Sequence, residues 1–252
     1  NDYGIHTELT GLSRAGIMQF SFEQDGDHYI VIEPNSDEGV AFVEINPEKK
    51  EITGYNPVHR IYQGYGKEAG FSGHFVIQLN EEIADYGVWD STTIIPGRKS
   101  AKGQKHAVGA WIKLASDKPG KTLVKVATSF TSIDNARKNL AAEIPGWNFN
   151  EVRQASSDIW NQALGQIAVK GNNEKEMVKF YSALYNAHFL PRTFSDVDGS
   201  YPRFDGDGQI MKMDHGTYYC DFSQWDTYRA VHPLFSILNP SRNGDMAHSL
   251  VL

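Results

Sequence analysis

Residues 123–167 read LVKVATSFTSIDNARKNLAAEIPGWNFNEVRQASSDIWNQALGQI, and the hydrophobic period changes inside them. Leu123 to Phe130 carries the pattern of a strand. Past Asp134 the spacing becomes helical. Asp134 to Glu143 reads as one short helix, stopped by Pro145-Gly146. Val152, Ala155, Ile159, Trp160, Ala163, Leu164 and Ile167 then fall on one stripe at i, i+3, i+4 spacing. Asn148 stands where an N-cap belongs, with Glu151 three residues on. The stretch is a junction, with strands before it and helices after.

Upstream, the period stays at two. Met18, Phe20 and Phe22 alternate with Ile17, Gln19 and Ser21. Tyr29 to Ile32, Val40 to Ile45, Gly73 to Leu79 and Ala110 to Leu114 continue the series, parted by turn signals such as Asp25-Gly26-Asp27 and Pro119-Gly120. Short strands with no helix between them predict an antiparallel β-sandwich over residues 1–133. Residues 134–170 are expected to be linker helices, with Asn148 to Lys170 as a rigid connector. Residues 171–252 begin an all-α bundle or barrel.

In that last part a helix is expected from Asn173 to Leu190, with Met177, Phe180, Tyr181, Leu184, Tyr185 and Phe189 on its stripe and Pro191 ending it. A polar stretch follows, in which Thr193 to Ser195 and Ile210 to Met213 are expected as the strands of a hairpin. Another helix should start at Ser223, with Trp225, Tyr228, His232 and Phe235 on one side. Asn239-Pro240 should break it, with a new helix near Asn243.

Composition narrows the function. The 252 residues carry a net charge of −7, and Lys and Arg never run longer than two. Phosphate binding needs a concentrated cationic face, so nucleic acid is disfavoured. No window approaches the ~20 apolar residues of a membrane span. The single Cys220 excludes an intrachain disulfide and a cysteine-based zinc site. The chain opens at Asn1 without an initiator Met and closes at Leu252 in a segment expected to be helical, so it reads as a piece of a longer polypeptide.

Four motifs have plain structural readings. Asp196-Val197-Asp198-Gly199 and Asp205-Gly206-Asp207-Gly208 hint at calcium, but neither places oxygen ligands and Gly at EF-hand positions, so both read as turns. Gly70-Phe71-Ser72-Gly73 misses the spacing of a nucleophile elbow and reads as a loop before a strand. In Ser223-Gln224-Trp225-Asp226, Ser223 and Asp226 could form a capping-box variant, with Asp226 paired to Arg229. The same four residues could instead present an aromatic platform and a carboxylate together. Carboxylates take short charge-assisted hydrogen bonds from sugar hydroxyls, and indole faces pack on the apolar C–H side of a sugar ring.

Tyr181-Ser182-Ala183-Leu184-Tyr185-Asn186, then Phe194-Ser195-Asp196-Val197-Asp198-Gly199, then the run from Asp221 through Trp225-Asp226-Thr227-Tyr228-Arg229-Ala230-Val231-His232-Pro233-Leu234 resemble glycoside hydrolase family 92. So do Ala136 to Trp147 and Ala15 to Phe22. The resemblance runs along nearly the whole chain. It implies an exo-acting, inverting, calcium-dependent α-mannosidase, bacterial and exported to the periplasm or beyond, acting on terminal α-mannosidic bonds of α-1,2 type. The implied architecture is a β-sandwich followed by an (α/α)6 barrel, with the sandwich supplying one wall of the site. Trp225 and Asp226 match the family's mannose-binding pair, Asp226 accepting from ring hydroxyls and Trp225 packing beside the ring. The family's general acid, general base and most calcium ligands lie downstream of that pair, beyond Leu252, so no catalytic or metal residue is assigned here. The implied partners are mannose-terminated glycans and the remainder of the chain's own polypeptide, needed to complete the barrel. The fragment alone is expected to be inactive, and its unpaired helical stripes to aggregate. The rival readings are a non-catalytic carbohydrate-binding module and a structural interaction domain.

Overall fold

The computed structural model describes residues 3–34, 39–59, 67–104, 107–203 and 207–252. The strands of the first half are β1 (Ile5–Gly11), β2 (Ala15–Phe22), β3 (Tyr29–Ile32), β4 (Ala41–Asn46), β5 (Glu51–His59), β6 (Glu68–Leu79), β7 (Ile83–Asp90), β8 (Thr93–Pro96), β9 (Ser100–Gly103), β10 (Val108–Leu114) and β11 (Gly120–Ser129). They build a seven-stranded sheet, ordered β1-β2-β11-β6-β5-β4-β9, and a four-stranded sheet, ordered β3-β10-β7-β8. The pairings are antiparallel.

Alternation decides which side chains meet between the sheets. In β4, Ala41, Val43 and Ile45 point inward; in β10, Val108, Ala110, Ile112 and Leu114 do. With Phe22, Ile52, Leu79, Val88 and Val124 they form the main core. A fully buried Ile112 contributes about 1.5–3 kcal/mol of transfer free energy.

The seven-stranded sheet is covered on its other face as well. Helices α1 (Ile133–Glu143) and α2 (Phe149–Leu164) follow β11. Ala136, Leu140 and Ile144, with Phe149 and Val152, pack against Ala15, Ile17, Val76 and Ala127 in a second core. Ser132 caps α1, one residue earlier than Asp134 suggests. Asn148 caps α2 as its sequence predicts: Oδ1 accepts from the Asn150 and Glu151 amides, and Nδ2 donates to Glu151 Oε1 at 2.8 Å. The helix ends at Leu164, short of Lys170, with Gly165 as its C-cap.

The remaining elements are α3 (Glu174–Ala187), β12 (Arg192–Thr193), β13 (Ser200–Pro202), β14 (Ile210–Lys212), β15 (Tyr219–Cys220), α4 (Gln224–Thr227), α5 (Val231–Leu238) and α6 (Pro240–Ser249). Trp160 of α2 packs at a tilt on Tyr185 of α3, with ring centroids 4.4 Å apart.

Several expectations are corrected. The expected hairpin is two nested ladders, β12 with β15 and β13 with β14. The helix expected from Ser223 splits into α4 and α5, because Pro233 has no N–H to give the Arg229 carbonyl. Pro240 opens α6 rather than delaying it, since proline suits the first helical position. Gly70 to Gly73 lies inside β6, not in a loop before it.

Candidate functional site

The Asp-Gly turn after β12 joins the helical part to the sandwich. Asp196 N–H donates to Ser200 O, and Gly199 N–H returns to Asp196 O. Gly199 sits at φ +84°, which a side chain would resist. That much is a turn, as its sequence suggests. The Asp196 carboxylate, however, is buried. Its Oδ2 accepts from Ser129 Oγ at 2.9 Å, Thr131 Oγ1 at 2.5 Å and Asn135 Nδ2 at 3.1 Å, and its Oδ1 from Asn139 Nδ2 at 2.7 Å. The end of β11 and the buried face of α1 thus converge on one side chain. Asn139 Oδ1 answers by accepting from Val197 N–H at 2.9 Å.

Two further contacts fix the same junction. Arg14 Nε donates to Ser195 O at 2.7 Å while its guanidinium pairs with Glu143 at 3.0 Å. Asp198 accepts from Lys138 Nζ at 2.9 Å. Partial burial works against the ionised form of Asp198, but hydrogen bonds from Lys138 and Ser200 outweigh it and hold the carboxyl down to about 2. Aromatic packing of Phe194 on Phe71 and Phe130 seals the contact.

From this anchor the chain runs through β15 to the tryptophan–aspartate pair. Tyr219 N–H donates to Ser249 Oγ at 2.9 Å, and Arg242 lies over the Tyr219 and Phe235 rings. Asp221 adopts φ +60°, with its carboxylate gripped by Arg192. Asp tolerates that left-handed backbone, and the bend delivers Phe222 to Asp226 beyond it. Cys220 beside it is half-buried: burial first, and then the Asp221 charge, push its thiol up to about 11.

Trp225 projects into solvent, 90% exposed. The sandwich does not close over this indole. Asp226 is exposed beside it and accepts from Ser223 Oγ at 2.5 Å. The capping-box reading is not met. The Ser223 hydroxyl goes to the Asp226 carboxylate instead of to a backbone N–H, and Arg229 turns to the Tyr228 hydroxyl and ring rather than to Asp226. One carboxylate oxygen of Asp226 thus takes an intramolecular donor and the open indole stands next to it. On the flanks, Gln224, Tyr228 and His232 line a cavity of about 200 Å³ with Asn243 and Met246.

The sandwich leads through packed helices into a helical part that exposes an indole and, at the next residue, a carboxylate. The Glycosyl hydrolase family 92 N-terminal domain matches residues 1–129, and the Glycosyl hydrolase family 92 catalytic domain matches residues 135–252. The chain belongs to glycosyl hydrolase family 92. It is similar to an inverting mannosidase of that family from Bacteroides thetaiotaomicron, with TM-score 0.85 and 26% identity, covering 98% of this chain and 32% of the other. It is similar too to an α-mannosidase of the family from the same organism, solved also with mannoimidazole, with TM-score 0.84 and 27% identity over 99% of this chain and 34% of the other. An uncharacterized secreted glycosidase of Arthroderma benhamiae is 32% identical over 119 residues, 46% of this chain and 14% of that protein. The chain thus spans about a third of the length of these solved relatives.

Among the described residues no three His, Cys, Asp or Glu side chains come together to hold a metal. The carboxylate of Asp196 is filled by four donors, and that of Asp198 is taken by Lys138 and the Ser200 amide. Asp205 and Gly206, part of the second calcium-like motif, lie outside the described residues. No helix of the described residues is long and apolar enough to cross a membrane.

The latch around Asp196 is what sequence reasoning missed. A signal existed: Asn135 and Asn139 stand one turn apart on the same α1 face as Ala136 and Leu140, and two amides on an apolar face call for a buried partner.

Proposed function

We propose that this chain is the sandwich and the opening of the catalytic domain of an exported, calcium-dependent exo-α-mannosidase, acting with inversion on terminal α-mannosidic bonds, of α-1,2 type. Trp225 and Asp226 hold the terminal mannose. The free lone pairs of Asp226 accept from ring hydroxyls, and the open Trp225 face packs on the C–H side of the ring. The observation that carries this reading is the juxtaposition of an almost fully exposed indole with an exposed carboxylate, in a chain whose two halves match the family's two domains. Inversion needs two carboxyls about 6.5–9.5 Å apart, one protonating the leaving oxygen and one activating water. Those two groups and the calcium ligands are supplied by the rest of the polypeptide, and the chain alone releases no mannose.

The test is release of mannose from α-1,2-mannobiose, with calcium, by a polypeptide carrying this chain plus the remainder of the family's catalytic domain. Turnover by the extended protein and none by the 252-residue chain is expected. Turnover by the short chain, or none by the extended one, refutes the proposal.

A further inference from the structure

The four-stranded sheet turns one face to the core and the other to solvent. On the solvent face, register places Val31, Trp111 and Gly87 in one row across β3, β10 and β7, and Gly109, Trp89 and Ile94 in the next across β10, β7 and β8. A Cβ added to Gly109 would lie 1.9, 2.1 and 2.5 Å from Cζ2, Cη2 and Cε2 of Trp89, and one on Gly87 would lie 2.7 and 2.8 Å from Nε1 and Cε2 of Trp111. Several atoms of one ring at nearly equal distance mean that the ring meets the glycine with its face. The Trp89 indole therefore lies across Gly109 of the neighbouring strand, flat on the sheet, and the Trp111 indole lies against Gly87 through Nε1 and Cε2. The two rows are two residues apart along the strands, about 7 Å, the scale of one sugar ring.

The surroundings are amphipathic in the way a glycan requires. Val31 and Ile94 are each 65% exposed at the edges, and Tyr29 packs its ring edge against Trp111. Directly along the strands sits a polar cluster. Lys113 pairs with Asp27 at 2.7 Å, Tyr29 donates its hydroxyl to Asp27, and Asp85 faces Lys113 across the ladder. A charged cluster one row from the aromatics suits a ligand with apolar faces and hydroxyl edges, whereas the core of a protein–protein interface is depleted of charge.

We propose that the outer face of the four-stranded sheet is a binding platform for pyranose glycan chains, with Trp89 and Trp111 stacking on sugar rings and the Asp27–Lys113–Asp85 cluster meeting their hydroxyls. It shares no residue with the Trp225–Asp226 pair. That the sugar is mannose rests on the proposed function; the platform does not.

The test is electrophoresis of the 252-residue chain through native gels holding yeast mannan or hydroxyethylcellulose, alongside Trp89→Ala, Trp111→Ala and Trp225→Ala variants. Wild type should be retarded in mannan, and both platform variants should lose most of that retardation. To separate lost binding from lost folding in a platform variant, hydroxyl-radical footprinting of the wild type with mannan serves as a second readout, with protection expected at Trp89 and Trp111. Retardation in hydroxyethylcellulose alone, lost in the platform variants, supports the platform and counts against mannose as the substrate. Retardation lost only in Trp225→Ala overturns the proposal. So does retardation in neither gel, or a dimer in sedimentation that Trp111→Ala abolishes, since a second copy would then cover the face.

Discussion

Replacing Asp196 with Ala should loosen the helical part from the sandwich. The change removes the acceptor of four side-chain donors, of which Ser129, Asn135 and Asn139 belong to buried residues. Each buried donor left without a partner costs about 1–3 kcal/mol, with bonds to a charged acceptor at the upper end. Some donors find substitutes. Asn139 Nδ2 keeps the Thr128 carbonyl at 2.8 Å, and the Ser129 and Thr131 hydroxyls already lie 3.0 Å apart. Two uncompensated donors and a small cavity leave a loss of about 3–5 kcal/mol, a large share of a typical total of about 5–15 kcal/mol. For a chain of this size that lowers Tm by roughly 6–20 °C. Asp196→Asn keeps the volume but aims an amide at other amides, and should lose about half as much. Urea unfolding followed by far-ultraviolet circular dichroism measures both. An Asp196→Ala variant within about 0.5 kcal/mol of wild type would refute the latch, since a mere turn residue shows no more than that.

Other consequences can be checked separately. Asp198 has a folded pKa below its unfolded value, so its contribution is present above about pH 4 and fades as pH falls toward 2; the Tm gap between wild type and Asp198→Asn should narrow over that window. Asp226→Asn, at an exposed site without a backbone cap bond, should change stability by less than about 0.5 kcal/mol, and a loss above 1 kcal/mol in thermal unfolding would favour a purely structural role. With its thiol near 11, Cys220 should be about one-thousandth ionised at pH 8, so iodoacetamide should alkylate it slowly in the native protein and fast in urea, as mass spectrometry would read.

The order of strands before helices was legible because periodicity survives wherever one face is buried. Met18 to Phe22, Gly73 to Leu79 and the α2 cap at Asn148 all read directly. Five strands did not. β1 is a half-exposed edge, β5 carries Gly54 and Pro57, and β7 is interrupted by Gly87, so apolar alternation is diluted there. β8 and β9 are four residues each, too short to show a period. The split between α4 and α5 was written in Pro233, but the apolar spacing across it outweighed the breaker. At the site, Trp225 and Asp226 were found as a pair through resemblance, their local rules fitting a cap equally well. Asp196 was read as a turn because its second task depends on residues 57 to 67 positions earlier in the chain, and no local pattern reports such a contact.

The central claim is that Trp225 and Asp226 grip the terminal mannose. The direct measurement is kcat/KM on α-1,2-mannobiose for the extended polypeptide, comparing wild type with Asp226→Asn and Trp225→Ala under equal folding. A charged hydrogen bond to a hydroxyl is worth about 1.5–3 kcal/mol, so Asp226→Asn should lose roughly 10- to 100-fold, and Trp225→Ala a comparable amount. Unchanged kcat/KM in both variants would contradict the account.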